Sequence, residues 1–499
     1  VDVPFSAPTG DLCDPAAPAL TAAHPGGGDG GADGPAVLDL LAAHEACPSD
    51  PRPSAALAGV RLKQKRFKDA AVFARQATER SPADPENWRL LGASLYSSGE
   101  PIEALAAWGR IDEPRIDRIR IDGLRRTRAD IANEVIGLRP RDLLTSETLA
   151  AAERRIDELP SASGGRLVYQ PSQGGQADIA VSVRENRVIE PWLTLGLRLG
   201  GQLAARREGA FKISSPTGRG EALEIGGRFA ARRPSAWLAI ETPRLGGLPG
   251  IVRLRALWDR QTYRLDGIPR SDGTVETRRR GSVDWSHWIT SRARIEFGLA
   301  ADRFDGRSTN PSLNGELEFR LFDDRLALVG SGGVFKGSSE APGFADAGGA
   351  ISFRSSIDLK RIMVTARLDG RRASSNSPRA LYPGAGKGPG RPFLLRSVRL
   401  VDDGELLGEV FGRGLGHGTA EIEMDLARVA TARVGLAVFT DWAKPWDTSR
   451  GPGPGPSVFA VGAGLRLRLE AVALRIDAAK RPGRSGVLVS AGVIPPWPR

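Results

Sequence analysis

The residues able to do chemistry are few and scattered. His24, His44, His287 and His417 share no metal-ligand spacing with one another or with Cys13 and Cys47. No G-x-S-x-G, H-E-x-x-H or P-loop pattern occurs. Gly386-Lys387-Gly388-Pro389-Gly390 is glycine-rich but opens no helix, so it is not expected to cradle a phosphate. No catalytic reaction, metal or cofactor is expected. The chain carries instead charge in a regular pattern. Arg466 and Arg468 alternate with Leu465 and Leu467, Arg475 and Asp477 with Leu474 and Ile476, Arg253 and Arg255 with Leu254 and Ala256. A period of two puts such charges on one face of a strand and the apolar residues on the other.

Sixteen segments of this kind lie between residues 187 and 494, the first near 187–200 and the last near 485–494. Most are long enough to cross a bilayer when tilted, with the charged face towards a lumen and the apolar face towards lipid. Short links such as Asp323-Asp324 alternate with longer ones, and Trp192, Trp237, Trp258, Trp285, Trp288 and Trp442 are candidates for an aromatic girdle. The chain has no apolar run of about 18 residues, which excludes a helical span but not a barrel. A net charge of +11, mostly arginine, fits either a basic bias of composition or an anionic partner.

The first half is organised differently. Residues 1–35 are rich in Gly, Pro, Ala and Asp and read as a flexible tail. A Cys13–Cys47 disulfide would tie it to the first helix in an oxidising compartment; two unpaired thiols are the alternative. The start at Val1 reads as a mature, processed product. Residues 36–110 are helical, with Ala70 and Ala104 one period of 34 apart and Trp88, Leu91, Gly92 and Trp108 around the second. This spacing resembles a tetratricopeptide repeat, in which small residues sit where paired helices cross; a generic pair of helical hairpins is the alternative. Residues 114–187 run β-α-α-β-β: Ile116, Ile119 and Ile121 alternate up to Gly123, two helices follow around Val135, Leu149, Ile156 and Leu159, and the last strand carries Ile179, Val181, Val183 and Glu185.

The I-x-I-x-G opening strand, the L-x-P-x-D-x-L-T-x-E-x-L helix link and the A-D-I-x-V-x-V-x-E closing strand resemble a POTRA (polypeptide-transport-associated) domain. The succession from Arg396 through A-E-I-E, F-T-D-W and A-V-G-A-G-L-R-L-R resembles the end of the barrel of the outer-membrane insertase and two-partner secretion translocase superfamily. The resemblance implies a multidomain chain: a tetratricopeptide-like repeat over 36–110, one α+β POTRA-like domain over 114–187 and a sixteen-stranded antiparallel transmembrane barrel over 188–499. It also implies a loop folded back into the lumen and pinned by Arg396 to Glu421 and Asp441. A planar guanidinium inside a barrel needs carboxylate partners and can take both. The tip here reads Arg396-Ser397-Val398, without the family's Gly and aromatic residue; Arg413-Gly414-Leu415 competes for the role but sits close to the next strand. The implied function is translocation of polypeptides across, or insertion into, the bacterial outer membrane, with the N-terminal domains in the periplasm. Substrate strands would be captured on the edge at Ile179, Val181 and Val183 by β-augmentation. The implied partners are an outer-membrane or secreted polypeptide, a periplasmic protein on the helical repeat and the lipid bilayer, with no nucleic acid. A polysaccharide-export porin is the alternative, since an Arg-rich lumen suits an anionic glycan.

Overall fold

The computed structural model describes residues 35–190, 207–264, 274–305, 308–338, 342–356, 362–387, 393–429, 432–449, 451–468 and 473–493, with single positions between 192 and 203. The expected tail, including Cys13, lies outside the described residues apart from Pro35. Cys47 is buried.

Two compact units divide the chain. The first holds residues up to Asp122 with Gly137–Ala152 and Arg166–Ser182. Its helices are α1 (Pro35–Ala46), α2 (Pro51–Lys63), α3 (Phe67–Arg80), α4 (Pro85–Ser97) and α5 (Pro101–Trp108). Proline at the first turn starts α2, α4 and α5, and Asp50 and Asp84 cap α2 and α4 through the N–H groups of Arg52 and Glu86. Ala70, Ala74, Ala77 and Ala104 are fully buried, as close helix crossings require. Gly92 is essential in the same sense: a Cβ there would lie 2.3 Å from the Trp108 indole nitrogen.

A three-stranded sheet follows, made of β1 (Arg115–Asp122), β2 (Ala162–Ser172) and β3 (Gln176–Glu185), with α6 (Ala129–Ile136) and α7 (Ser146–Asp157) between the first two strands. Its order is β1-β3-β2, with β1 and β3 parallel.

The second unit contains Gly123–Ile136, Glu153–Gly165 and everything from Val183. It is dominated by one large antiparallel sheet. The strands are β4 (Glu208–Ser214), β5 (Ala222–Arg228), β6 (Ser235–Pro243), β7 (Ile251–Arg264), β8 (Thr274–Trp288), β9 (Ala293–Phe304), β10 (Asn310–Leu321) and β11 (Leu326–Phe335). Next come β12 (Phe344–Arg354), β13 (Ile362–Ala373), the short β14 (Val401–Asp402) and β15 (Glu405–Leu407), β16 (Gly412–Val429) and β17 (Ala432–Thr448). The short β18 (Gly451–Pro454), β19 (Val458–Arg468), β20 (Ala473–Lys480) and β21 (Val487–Val493) end the series. The order is cyclic, β21 lying next to β4, and gives the sheet an inner and an outer face.

Eighteen strands are therefore present among the described residues, three of them short, where sixteen were expected. The first expected strand, near 187–200, is corrected: residues 187–190 are irregular, and the described positions from Trp192 to Leu203 are helical. Leu195, Leu199 and Leu203 recur at i+4, so the same sequence satisfies a helical stripe, and Leu199 and Leu203 lie over the open side of Gly209, where a Cβ would meet both. The girdle is corrected in part. Trp258, Trp285 and Trp442 share the outer face, but Trp237 turns inward to donate to Glu224 at 2.7 Å. Trp288 is 2 % exposed, with Arg154 and Arg320 over its ring.

Within the second unit the turn ends of the strands meet the α6–α7 region. Arg154 pairs with Asp324 of the β10–β11 turn, Arg155 donates to the Trp288 carbonyl, and Arg244 of the β6–β7 turn pairs with Glu134. The tightest knot is around Thr127, whose hydroxyl contacts the Glu185 carboxylate at 2.5 Å, Ser161 at 3.0 Å and Ser215 of the β4–β5 turn at 2.9 Å. Glu185 also accepts from the backbone N–H groups of Arg125, Arg126 and Thr127. Gly123 makes the approach possible, since at φ +90° a Cβ would sit 2.0 Å from the Val183 carbonyl oxygen. Burial alone would raise the Glu185 carboxyl; the Thr127 hydroxyl and the three N–H donors outweigh it and hold the group below its ordinary 4.5. The stabilisation is therefore present above pH about 4.5 and lost as pH falls through the lowered folded value. Acid unfolding of the chain should shift to less acid pH in Glu185→Gln, with about 1–3 kcal/mol lost at pH 7; identical acid transitions in the two proteins would contradict this role.

Candidate functional site

The inner face of the large sheet is assembled by alternation. On β16, Leu415, His417, Thr419, Glu421 and Glu423 point one way, while Ile422 and Met424 point the other and are exposed. Across the ladder, Thr419 is opposite Asp441 and Glu421 opposite Phe439 on β17. On β19 and β20 the same face carries Arg466, Arg468, Arg475 and Asp477.

Into this face folds the long connection from β13 to β16. Phe393, Leu395, Val398, Leu400, Leu406 and Val410 from the connection are all buried. Phe393, Leu395, Val398 and Val410 pack against Leu415, Ala443, Val458 and Ala460 of the wall. A second cluster joins Leu400, Leu406 and Phe411 to Tyr263 of β7. The connection thus has a small apolar core of its own inside an otherwise charged interior.

Arg396 sits in the middle of it at 2 % exposure. Its Nε donates to Asp441 Oδ2 at 3.0 Å and its Nη2 to Asp441 Oδ1 at 3.0 Å, a two-toothed pair. Nη1 donates to Glu421 Oε2 at 2.7 Å, and Nη2 also reaches Thr419 Oγ1 at 3.1 Å. The Arg396 backbone N–H donates to Asp441 as well, at 3.0 Å. The Phe439 ring lies under the guanidinium, its centroid 3.4 Å from Cζ. The structure therefore brings Arg396, Glu421 and Asp441 together. Arg413, the competing candidate, lies apart from them and pairs with Asp447 at 3.0 Å.

The sequence reading missed the extent of this network. Arg466 donates to Glu421 at 2.7 Å and to Asp477 at 2.7 Å, Arg475 pairs with Asp477, and Asp477 stands 3.7 Å from Arg396. Three arginines and three carboxylates are so interleaved that every charge faces opposite ones. Arg468 and Glu423 add a neighbouring pair at 2.6 Å. Two glycines make room: a Cβ on Gly464 would lie 2.2 Å from Asp477 Oδ1, and one on Gly462 would lie 2.4 Å from the Phe439 ring. His417, which showed no role in the sequence, is a second tether; its Nε2 meets the Leu394 carbonyl at 2.8 Å and its Nδ1 meets Asp369 at 3.2 Å. Farther along the connection, β15 pairs parallel with β7, Leu406 opposite Tyr263, while Glu276 of β8 accepts the N–H of Ala380 at 3.0 Å.

The expected strand-capture edge is corrected. Ile179, Val181 and Val183 are buried on β3, and β3 is the central strand, paired on both sides. The edges are β1 and β2. On β2 the Tyr169 carbonyl accepts from the Tyr96 hydroxyl of α4 at 3.0 Å, and the Tyr169 hydroxyl donates to the Pro101 carbonyl of α5 at 2.6 Å. Helices therefore cover that edge at Tyr169. Among the described residues the outer side of β1 is bonded only at its start, through Ile116 and the backbone of Arg141 and Asp142.

Two consequences can be measured. Arg396→Ala leaves Asp441 and Glu421 facing a void in a buried setting, a loss of about 3–5 kcal/mol for one partner of a buried pair. The connection should then be cut by protease in a barrel that still migrates as folded, and a protected connection would argue against the pin. Gly464→Ala should lower the melting temperature through displacement of Asp477 while Gly281→Ala, whose Cβ would meet nothing within 4 Å, should not; equal melting of the two would contradict the packing argument.

Neither a family model nor a curated protein matches the chain. Among the described residues no group of His, Cys, Asp and Glu is arranged to hold a metal ion. Solved structures do match. BamA from Haemophilus ducreyi, lacking POTRA domains 1–3, is 12 % identical, with TM-score 0.47 over 76 % of this chain and 84 % of that one. CdiB from Acinetobacter baumannii is 13 % identical, with TM-score 0.44 over 77 % of this chain and 74 % of that one. CdiB from Escherichia coli is 14 % identical, with TM-score 0.52 over 76 % of each chain, and with it this protein shares its fold.

Proposed function

We propose that this protein is an outer-membrane β-barrel that moves polypeptides across the bacterial outer membrane or inserts them into it. In this reading residues 36–110 form a tetratricopeptide-like repeat that receives a periplasmic protein, 114–187 a POTRA-like domain and 188–499 the barrel. Tail, repeat and POTRA-like domain face the periplasm, and the apolar outer face meets lipid.

The observation that carries the reading is the connection folded into the lumen and held there by Arg396. A pore for a polymer gains nothing from an apolar core in its channel, whereas a translocator needs a seal when idle. The arginine–carboxylate network holds the seal in one place without covalent bonds, so substrate binding energy can shift it. The fold shared with CdiB from Escherichia coli supports the same class. Substrate strands would meet the POTRA-like sheet on β1 between Asp117 and Asp122. The charges of Arg118 and Arg120 there keep indiscriminate strand pairing away.

A photo-crosslinking residue at Ile121 in whole cells should yield adducts with an outer-membrane or secreted polypeptide. Arg396→Ala should reduce delivery of that polypeptide while the barrel remains in the membrane. Unchanged delivery, or adducts absent throughout β1, would overturn the proposal.

A further inference from the structure

We propose that the outer face of β7–β9 binds a phosphate-bearing, multiply acylated glycolipid of the outer leaflet; this rests on the outer-membrane reading above. Inward residues fix the directions. Asp259 pairs with Arg228, and Asp302 is fully buried between Arg278 and Arg280. By alternation Arg260, Arg279 and Arg303 face outward. The outward series are Val252, Leu254, Ala256, Trp258 and Arg260 on β7; Trp285, Val283, Gly281 and Arg279 on β8; and Ile295, Phe297, Leu299, Ala301 and Arg303 on β9. On each strand the apolar series gives way to arginine at the end remote from the turns that meet α6 and α7.

Arg279 and Arg303 are direct cross-strand neighbours, an arrangement that repels unless an anion lies between them. All three arginines are exposed, and none of their side chains makes a hydrogen bond or ion pair among the described residues. This sets them apart from most arginines of the lumen, such as Arg278, Arg280 and Arg294, which are paired with carboxylates. Directly beneath them is a groove of about 570 Å³ lined by Leu254, Ala256, Gly281, Val283, Leu299 and Ala301. Gly281 leaves its floor open, since a Cβ there would meet nothing within 4 Å. Guanidiniums at headgroup level above an acyl-sized groove recognise an amphiphile. Three of them on adjacent strands suit a headgroup with more than one phosphate, and the remote end of the barrel is the outer leaflet.

The test uses the full chain in detergent micelles, with lipid A as the probe and phosphatidylglycerol and inorganic phosphate as comparisons. One lipid A should remain bound in native mass spectrometry, at least about tenfold tighter than phosphatidylglycerol. The triple variant Arg260→Gln, Arg279→Gln, Arg303→Gln and the groove-filling Gly281→Phe should each weaken binding by about tenfold or more. Both must retain heat-modifiable migration; if Gly281→Phe does not fold, Gly281→Val replaces it. Equal binding of phosphatidylglycerol, full displacement by inorganic phosphate, or unchanged binding by the folded variants would overturn the site. Membrane fractionation tests the location separately: recovery outside the outer membrane would overturn that reading, whatever the micelles show.

Discussion

Arg396 is a fixed charge with almost no access to water, and this constraint organises the interior around it. A guanidinium so buried is tolerated only where anions replace its hydration. Asp441 and Glu421 supply them, but each is an anion in need of further compensation. Arg466 completes Glu421, Asp477 completes Arg466, and Arg475 completes Asp477. The chain of demands runs across β16, β17, β19 and β20, so four strands are locked in register by one residue of a loop. The glycines of β19 belong to the same constraint, because the closely packed ring and carboxylate leave no room for a side chain.

The outer and inner faces solve opposite problems with the same alternation. Outside, Ile422, Val438, Leu465 and Ile476 are exposed because lipid is their solvent in the proposed setting. Inside, many arginines are paired with carboxylates, as Arg278, Arg294, Arg320, Arg396 and Arg466 are. The surplus arginine is found instead in places such as Arg260, Arg279 and Arg303.

Much of this was legible in the sequence, for reasons that differ by level. Alternation reveals most strands of the large sheet, since a period of two is imposed wherever one face differs from the other. Arg396, Glu421 and Asp441 were legible only through family resemblance, because nothing in the spacing of 25 or 45 residues brings them together. Asp477 was not found, since its contact depends on the order of strands and not on a motif. The role of His417 has no sequence signal, because its partners are a backbone carbonyl and a carboxylate from another strand. An edge at Ile179, Val181 and Val183 follows from the resemblance alone, and strand order is not legible in a strand's own residues; in the sheet β3 inserts between β1 and β2. The segment before β4 satisfies both periods, and alternation alone could not decide between them.

The pairing of β15 with β7 gives the folded-in connection a mechanical meaning. Arg396 ties it to β16 and β17, while Leu406 and its neighbours tie it to β7, seven strands from β16 in one direction and seven from β17 in the other around a wall of fifteen long strands. A connection fixed at two nearly opposite points of a ring acts as a cross-strut. With both ends attached, the ring resists flattening into an ellipse; with either end released, its cross-section becomes compliant. The width of the passage and the roundness of its wall are therefore set by one and the same piece of chain.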